Sequence, residues 1–253
     1  MAAVGADGRP SGAFAFVFVH GAGADASRFG PLLALVPGAV AVDLPGHGSA
    51  GGEGRTTIEG PDGYAESVAA LIRREGYERP IMVGHSMGGA IALAVALAEP
   101  DLLGGIGLVG SGARLRVHPD ILAALAERRV PDGLATWMFA PGAARELLDG
   151  EVRALDASAA AGVLHGDFAA CDAFDAEDRV GALRLPAAAV VGSQDKMTPP
   201  RLSERLIARW GDPAAIEGTV VDGAGHYVQL ERPEAVARAL LRLRERARQV
   251  GAS

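Results

Sequence analysis

The sequence has little cysteine, no long apolar run and no excess of basic residues. Cys171 is the single cysteine among 253 residues, which excludes an intramolecular disulfide or a thiolate metal cluster and is typical of a reducing compartment. No apolar run approaches the ~18 residues that a membrane-spanning helix needs. The formal net charge is −7, whereas binding to nucleic acid requires a concentrated basic surface. We therefore expect a cytoplasmic protein without a membrane span or a nucleic-acid partner.

The length and the apolar content bound the fold. A chain of 253 residues with 49% hydrophobic residues fits one large α/β domain with an inserted subdomain. Residues 1–7 lack the basic and apolar regions of a secretory signal, which is consistent with the expected location. These features do not predict an oligomeric state.

The stretch around Ser86 has the strand, turn and helix pattern of a nucleophile elbow. Residues 81–83 are apolar and predict a buried strand, and the small and aliphatic residues 90–98 predict a helix. Between them, Gly84-His-Ser-Met-Gly88 predicts a tight turn in which glycines let strand and helix cross closely. The serine hydroxyl would project above the sheet, and the Met87 amide, at the positive end of the helix, would face an oxyanion.

Because a five-residue motif alone is weak evidence, the rest of the chain decides its meaning. Short apolar strands alternate with helices and lack hairpin signals, which predicts a mostly parallel, doubly wound sheet. The predicted strands are 13–19, 39–42, 81–83, 106–109, 187–191 and 215–221. In such sheets ligands bind at the carboxyl ends of the strands.

Loops at these strand ends carry the candidate site residues. His20-Gly-Ala-Gly23 follows the first predicted strand, and Ala22 is the candidate for a second oxyanion-binding amide. Asp195 and His226 each follow a later strand within a glycine-rich loop. A serine hydroxyl needs an imidazole to accept its proton, and the imidazole needs a carboxylate to orient it. We therefore interpret Ser86, His226 and Asp195 as a catalytic triad.

We expect the other polar residues at strand ends to have structural rather than catalytic roles. We expect His20 to form structural hydrogen bonds, and Asp43 and His47 to stabilise a rigid Asp43-Leu-Pro-Gly-His-Gly48 loop. His165 and Cys171 are expected to be packing residues, because no strand-end turn presents them.

The strand rhythm stops between about residues 113 and 178. Helix-like apolar segments separated by prolines fill this span, which predicts a helical insertion in the position of a lid over the serine. We divide the chain into a first part of the core (1–112), the helical insertion (113–178) and a second part of the core (179–253).

The order serine, acid, histidine, together with these loop motifs, resembles the α/β-hydrolase fold family. The resemblance covers nearly the whole chain and implies Ser86 as nucleophile, His226 as general base and then acid, Asp195 as orienting carboxylate, and the amides of Ala22 and Met87 as oxyanion hole. It implies a mechanism that needs no cofactor and no metal ion. Since the residues ahead of Ala13 supply at most one short strand, the usual N-terminal hairpin would be shortened.

The resemblance also implies a reaction, with alternatives for the substrate. We expect a serine hydrolase that cleaves carboxylic esters of small to medium acyl groups, such as a monoacylglycerol, through an acyl-enzyme. Arg114 and Arg116 could instead bind a substrate carboxylate, as in an enol-lactonase or a C–C bond hydrolase, although solvated side chains explain them as well. A non-catalytic binding protein on the same fold is the alternative from another class, and such proteins normally lack a triad residue.

Overall fold

The computed structural model describes residues 3–5 and 13–251, and its strands form one seven-stranded sheet in the order β1-β3-β2-β4-β5-β6-β7. The pairs from β3 to β7 are parallel, and β1 pairs antiparallel with β3. The strands are β1 Ala3–Gly5, β2 Phe16–Val19, β3 Ala39–Val42, β4 Ile81–His85, β5 Gly105–Val109, β6 Ala187–Gly192 and β7 Ile216–Val221. The predicted fold class is confirmed, including a reduced N-terminal part with a single strand before β2 among the described residues.

Ten α-helices accompany the sheet in the described part of the chain. They are α1 Gly30–Leu35, α2 Tyr64–Glu75, α3 Met87–Ala98, α4 Pro119–Ala126, α5 Leu134–Trp137, α6 Arg145–Ala160, α7 Val163–Ala173, α8 Pro200–Arg209, α9 Val228–Glu231 and α10 Pro233–Gly251. Within residues 3–5 and 13–251, none of the helices has the length and apolar content needed to cross a membrane.

The central strands are buried at every position because helices cover both faces of the sheet. All residues of β2, β4, β5 and β6 are buried, as expected for strands of a parallel sheet. One hydrophobic cluster joins the sheet to α2, α3 and α8, and a second joins the opposite face to α1 and α10. The polar loops are thereby left at the two ends of the strands.

Two elements begin at different residues in the structure from those that the sequence predicts. Strand β2 starts at Phe16 rather than at residue 13, because Phe14 lies in a turn with φ +64°. The helix predicted over 27–35 begins instead as a 3-10 turn, Ala26–Phe29. The Ser27 amide in this turn donates a hydrogen bond to the Asp25 carboxylate. Helix α1 then starts with a proline in its first turn.

Helices α4–α7 lie between β5 and β6, within the span predicted as a helical insertion. Both ends of that span meet, since the Ala176 amide donates a hydrogen bond to the Ala113 carbonyl at 2.8 Å. A third hydrophobic cluster, which includes Leu155, Phe168 and Tyr227, joins these helices to the loop after β7. The insertion therefore packs over the carboxyl end of the sheet.

The close crossing of β4 and α3 makes a stability prediction. A Cβ at Gly88 would lie 2.1 Å from the Val19 carbonyl oxygen, so we expect Gly88→Ala to destabilise the fold by about 3 kcal/mol or more. Gly150→Ala is the matched control, since its Cβ would meet nothing closer than Arg153 at 4.0 Å. In the interior of α6 it should stabilise by about 0.5–1 kcal/mol. Urea unfolding measures both, and equal stability of Gly88→Ala and wild type would contradict the packing argument.

Candidate active site

Ser86 occupies a strained turn between β4 and α3. Its backbone has φ +53° and ψ −115°, a conformation that side-chain-bearing residues rarely adopt. A Cβ at Gly84 would lie 1.9 Å from the Gly88 carbonyl oxygen, so only glycine fits at this crossing. The Ser86 amide donates to the Val109 carbonyl at 2.9 Å, and Ser111 Oγ donates to the Ser86 carbonyl at 2.8 Å. These bonds hold the turn against β5.

Asp195 and His226 form a buried hydrogen-bonded pair. His226 Nδ1 lies 2.9 Å from Asp195 Oδ2, and the two residues are 3% and 4% exposed. Burial alone would raise the pKa of Asp195, but the neighbouring His226 and the hydrogen bonds from His226 and Thr198 outweigh burial and lower it. The carboxylate is therefore ionised and holds the proton of His226 on Nδ1. In the neutral imidazole, Nε2 is then the nitrogen that can accept a proton.

Ser86 and His226 line the same cavity. The cavity volume is about 70 Å³, well below the roughly 300–1,000 Å³ of pockets for drug-sized ligands. Its remaining walls are mainly apolar. They include Leu115, Val117, Met138, Phe168, Met197, Leu202 and Tyr227. A small apolar group can therefore be bound beside the serine.

Two backbone amides are available at this cavity. A Cβ at Gly21 would lie 3.2 Å from Ser86 Cβ, so the loop after β2 runs against the serine, and Ala22 lines the cavity. Met87 is the first residue of α3, where an amide has no partner within the helix. Within residues 13–251, neither amide has a hydrogen-bond acceptor. Ala22 thus borders the same cavity as Ser86, and the Met87 amide belongs to the residue directly after the serine.

His85 was not identified as a site residue from the sequence. Its Nε2 donates to the His226 carbonyl at 3.0 Å, and the two rings lie 4.6 Å apart. Burial, followed by the charge of His226, holds the pKa of His85 well below its usual value, so the ring is neutral. It supports the backbone of His226, a contact between positions 141 residues apart that local sequence patterns do not reveal.

Thr198 is a second residue that the sequence did not indicate. Its hydroxyl lies 2.8 Å from Asp195 Oδ2, 2.7 Å from the Gly110 carbonyl oxygen and 3.1 Å from His226 Nδ1. The amides of Met197 and Thr198 both donate to Asp195 Oδ1. The only available signal was proximity in sequence, three residues after the acid.

A buried carboxylate from the helical insertion lies next to this site. Glu151 of α6 is 2% exposed, accepts a hydrogen bond from the Tyr227 hydroxyl at 3.0 Å and pairs with the Arg28 guanidinium at 2.7 Å. The guanidinium also lies over the Tyr227 ring, 5.5 Å from its centre. Burial raises the pKa of Glu151 even though Arg28 and Tyr227 act in the opposite direction. This trio ties α6 to the residue after His226.

The residues expected to be structural have structural contacts. His20 accepts a hydrogen bond from the Leu44 amide at 3.1 Å, and burial, then the charge of His47, lowers its pKa to about 4. Asp43 accepts bonds from the amides of Ala26 and Ser49, each at 2.8 Å, as predicted for a residue that stabilises the loop.

Cys171 is a buried free thiol that also lines the cavity. Burial raises its pKa, which keeps the thiol protonated and unreactive. Among the described residues, no group of three or more His, Cys, Asp or Glu side chains is placed to hold a metal ion.

Comparisons by family model, by sequence and by structure all find hydrolases. A family model described as alpha/beta hydrolase family matches residues 16–239. A pimeloyl-[acyl-carrier protein] methyl ester esterase of Neisseria meningitidis is 32% identical, over 87% of this chain and 73% of that protein. A putative carbamate hydrolase of Rhizobium rhizogenes is 30% identical, over 76% and 78%. The solved structure of a thermophilic esterase superposes with a TM-score of 0.79 at 31% identity, covering 92% of this chain and 90% of the other.

The Thr198 hydroxyl makes a prediction for stability. We expect Thr198→Val to cost about 1–3 kcal/mol, because the buried Gly110 carbonyl loses a donor and Asp195 loses a partner. Thr219→Val, on β7 and only partly buried, is the control and should change stability by less than about 0.5 kcal/mol. Thermal unfolding at neutral pH measures the difference, and equal melting temperatures of the two variants would contradict the role assigned to the hydroxyl.

Proposed function

Since this chain belongs to the alpha/beta hydrolase family, we propose that it is a serine hydrolase that cleaves carboxylic esters through an acyl-enzyme. The observation that carries the proposal is the buried 2.9 Å bond between His226 and Asp195, with the same histidine lining one cavity with Ser86. A strained serine, an oriented imidazole and a carboxylate at one sheet edge are what this chemistry requires.

The proposed mechanism has two halves. Ser86 Oγ attacks the ester carbonyl while His226 Nε2 accepts its proton, and the resulting oxyanion faces the amides of Ala22 and Met87. The C–O bond to the alcohol then breaks, and His226 donates the proton to the departing alkoxide. In the second half, water gives a proton to His226 and attacks the acyl-enzyme, and the proton returns to Ser86 as the acid leaves.

The rest of the site supports these steps. Asp195 fixes the Nδ1–H tautomer and stabilises the imidazolium that forms, which is the role of the third triad member. We propose that the helical insertion acts as a lid, because its Phe168 and Cys171 line the cavity with the serine. Excluding water in this way strengthens the electrostatic interactions with the oxyanion.

The cavity supports a small neutral acyl group. A volume of about 70 Å³ favours short chains, and most of the wall side chains are leucine, valine, methionine or phenylalanine, with Arg116 at the side shared with the neighbouring groove. The relative from Neisseria meningitidis is named for a methyl ester, whose alcohol part is also small.

A basic groove supports the second candidate, a substrate with a carboxylate. The groove shares Arg116, Val117, Met197 and Leu202 with the cavity and continues to Lys196 and Arg201. Arg114 and Arg116 are engaged, the first in an ion pair with Asp175 at 3.1 Å and the second in a hydrogen bond to the Asp172 carbonyl at 2.8 Å. Within residues 13–251, Lys196 and Arg201 have no acidic partner, so they could attract the carboxylate of an enol-lactone or a ring-fission product.

The nucleophile is tested by Ser86→Ala. We expect kcat on p-nitrophenyl acetate to fall by about a thousandfold or more, because the acyl-enzyme cannot form. Labelling by a fluorophosphonate probe should be lost at the same time. Ser27→Ala, at an exposed serine, is the control and should keep both activities. If Ser86→Ala retained more than about a thousandth of wild-type turnover, the assignment would be wrong.

The two candidate substrate classes differ in charge, so esters with and without a carboxylate distinguish them. We expect kcat/KM to be highest for p-nitrophenyl acetate and butyrate. The mono-p-nitrophenyl ester of adipic acid has the same chain length as p-nitrophenyl hexanoate but ends in a carboxylate. We expect kcat/KM to be higher for the hexanoate than for this adipate ester. A preference for the adipate ester, lost by about threefold to tenfold in a Lys196→Gln, Arg201→Gln double variant, would favour the second candidate instead. Arg238→Gln, an exposed arginine on α10, is the matched control for charge.

A further inference from the structure

A carboxylate of the helical insertion is fully buried against the loops of the core. Asp167 of α7 is 0% exposed. Its Oδ2 accepts the Gly23 amide at 2.8 Å and lies 2.8 Å from His47 Nε2. Its Oδ1 accepts the Tyr64 hydroxyl at 2.6 Å. One side chain therefore joins α7 to the loop after β2, the loop after β3 and helix α2.

The hydrogen bonds define the protonation state of this cluster. His47 Nδ1 lies 3.0 Å from the Pro45 carbonyl oxygen, which can only accept a hydrogen bond, while Nε2 faces the carboxylate. Both ring nitrogens therefore act as donors, which requires an imidazolium. The Tyr64 hydroxyl accepts the Arg55 amide at 2.9 Å, so its own proton goes to Asp167. The cluster is a buried ion pair of His47 and Asp167 in which three donors bond the two carboxylate oxygens.

Besides Tyr64, three titratable groups in the described part of the chain lie near this ion pair: His20, Asp43 and Cys171. Cys171 is neutral, because burial and the charge of Asp167 raise its pKa. The His20 ring lies 4.8 Å from the His47 ring and is neutral, since its pKa is lowered to about 4. Asp43 also acts on His47 as a charge, and its own pKa is lowered because the bonds from Ala26 and Ser49 outweigh burial. Burial alone would lower the pKa of His47, but the hydrogen bond and charge of Asp167 raise it. The charged form of His47 is thus favoured by two carboxylates.

The Gly23 amide connects this cluster to the reaction. Gly23 follows Ala22, and the planar peptide bond between them fixes the Gly23 N–H relative to the Ala22 carbonyl, within the same residue as the Ala22 amide. Gly23 has φ +66°, and a Cβ there would lie 2.4 Å from Leu164 of the same helix α7. The loop that carries the Ala22 amide is therefore held by α7 through one hydrogen bond and one close contact.

We propose that Asp167 is a positioning residue, which holds the Ala22 amide in the place where it stabilises the oxyanion, and that the His47 cation keeps Asp167 in that place. The proposal rests on the proposed function, because it assigns the Ala22 amide to the oxyanion hole. It makes the completeness of the oxyanion hole depend on the docking of α7. An undocked insertion leaves the amide unsupported, even though the triad is intact.

The test compares two variants of the same carboxylate cluster. In Asp167→Asn, one oxygen becomes an NH2 donor and the negative charge is lost, so the side chain can no longer accept from Gly23, His47 and Tyr64 together or balance the His47 cation. Tyr64→Phe removes only the bond to Oδ1 and leaves the oxygen that binds Gly23. With p-nitrophenyl acetate, we expect Asp167→Asn to lower kcat by about tenfold to a hundredfold with little change in KM. Tyr64→Phe should lose thermal stability but keep kcat within about twofold.

The pH dependence gives a readout that a purely structural role does not move. Because the pKa of His47 is raised above its ordinary value of 6.5, the contribution of the charged histidine is complete below that ordinary value and is lost as the pH rises through the higher folded pKa of His47. We expect kcat of the wild type and of Tyr64→Phe to fall over that range, and the fall to be absent from His47→Gln, which donates to Asp167 without titrating. If Asp167→Asn does not fold, the comparison of His47→Gln with wild type carries the test.

Each result supports one conclusion. Equal kcat in wild type and Asp167→Asn, or equal losses in Asp167→Asn and Tyr64→Phe, would overturn the positioning role, as would an alkaline fall that persists in His47→Gln. Failure of the wild type to react with a fluorophosphonate probe would instead contradict the proposed function itself.

Discussion

The close crossing of β4 and α3 is the constraint on which the rest of the molecule depends. Strand and helix approach so closely that a Cβ at Gly84 or Gly88 would overlap with backbone atoms, and Ser86 adopts a positive φ between them. The Val19 and His20 carbonyls lie directly beneath Gly88. The end of β2 is therefore fixed relative to the serine by contact, and the loop beyond it is bonded to α7.

The fold could be predicted because it depends on local patterns, and the three positions proposed as a triad rest on patterns of the same kind. Apolar runs, glycine-rich turns and the order of the loops along the chain are features of neighbouring residues. The partners that complete the site come from distant segments: His85 contacts His226, and Asp167 contacts residues 103 to 144 positions away. Their chemistry does not distinguish them in sequence from ordinary polar residues, and His47 in particular was interpreted only as part of a rigid loop.

Buried histidines have different charges in this protein because their neighbours differ. His20 and His85 bond only backbone groups among the described residues and have no carboxylate bonded to the ring, so burial lowers their pKa values. His47 is buried to a similar degree but faces a carboxylate, which raises its pKa. A sequence gives the residue type and not the facing group, so the charge state of each ring follows only from the structure.

The ion pair between Arg28 and Glu151 has a consequence for the evolution of this scaffold. Replacing helices α4–α7 by helices without a counterpart of Glu151 would leave the partly buried Arg28 without its carboxylate, and removing one partner of such a pair is destabilising. The insertion is therefore not an interchangeable module. A chimaera that borrows another protein's cap to change its selectivity must inherit both halves of the pair, one from each parent.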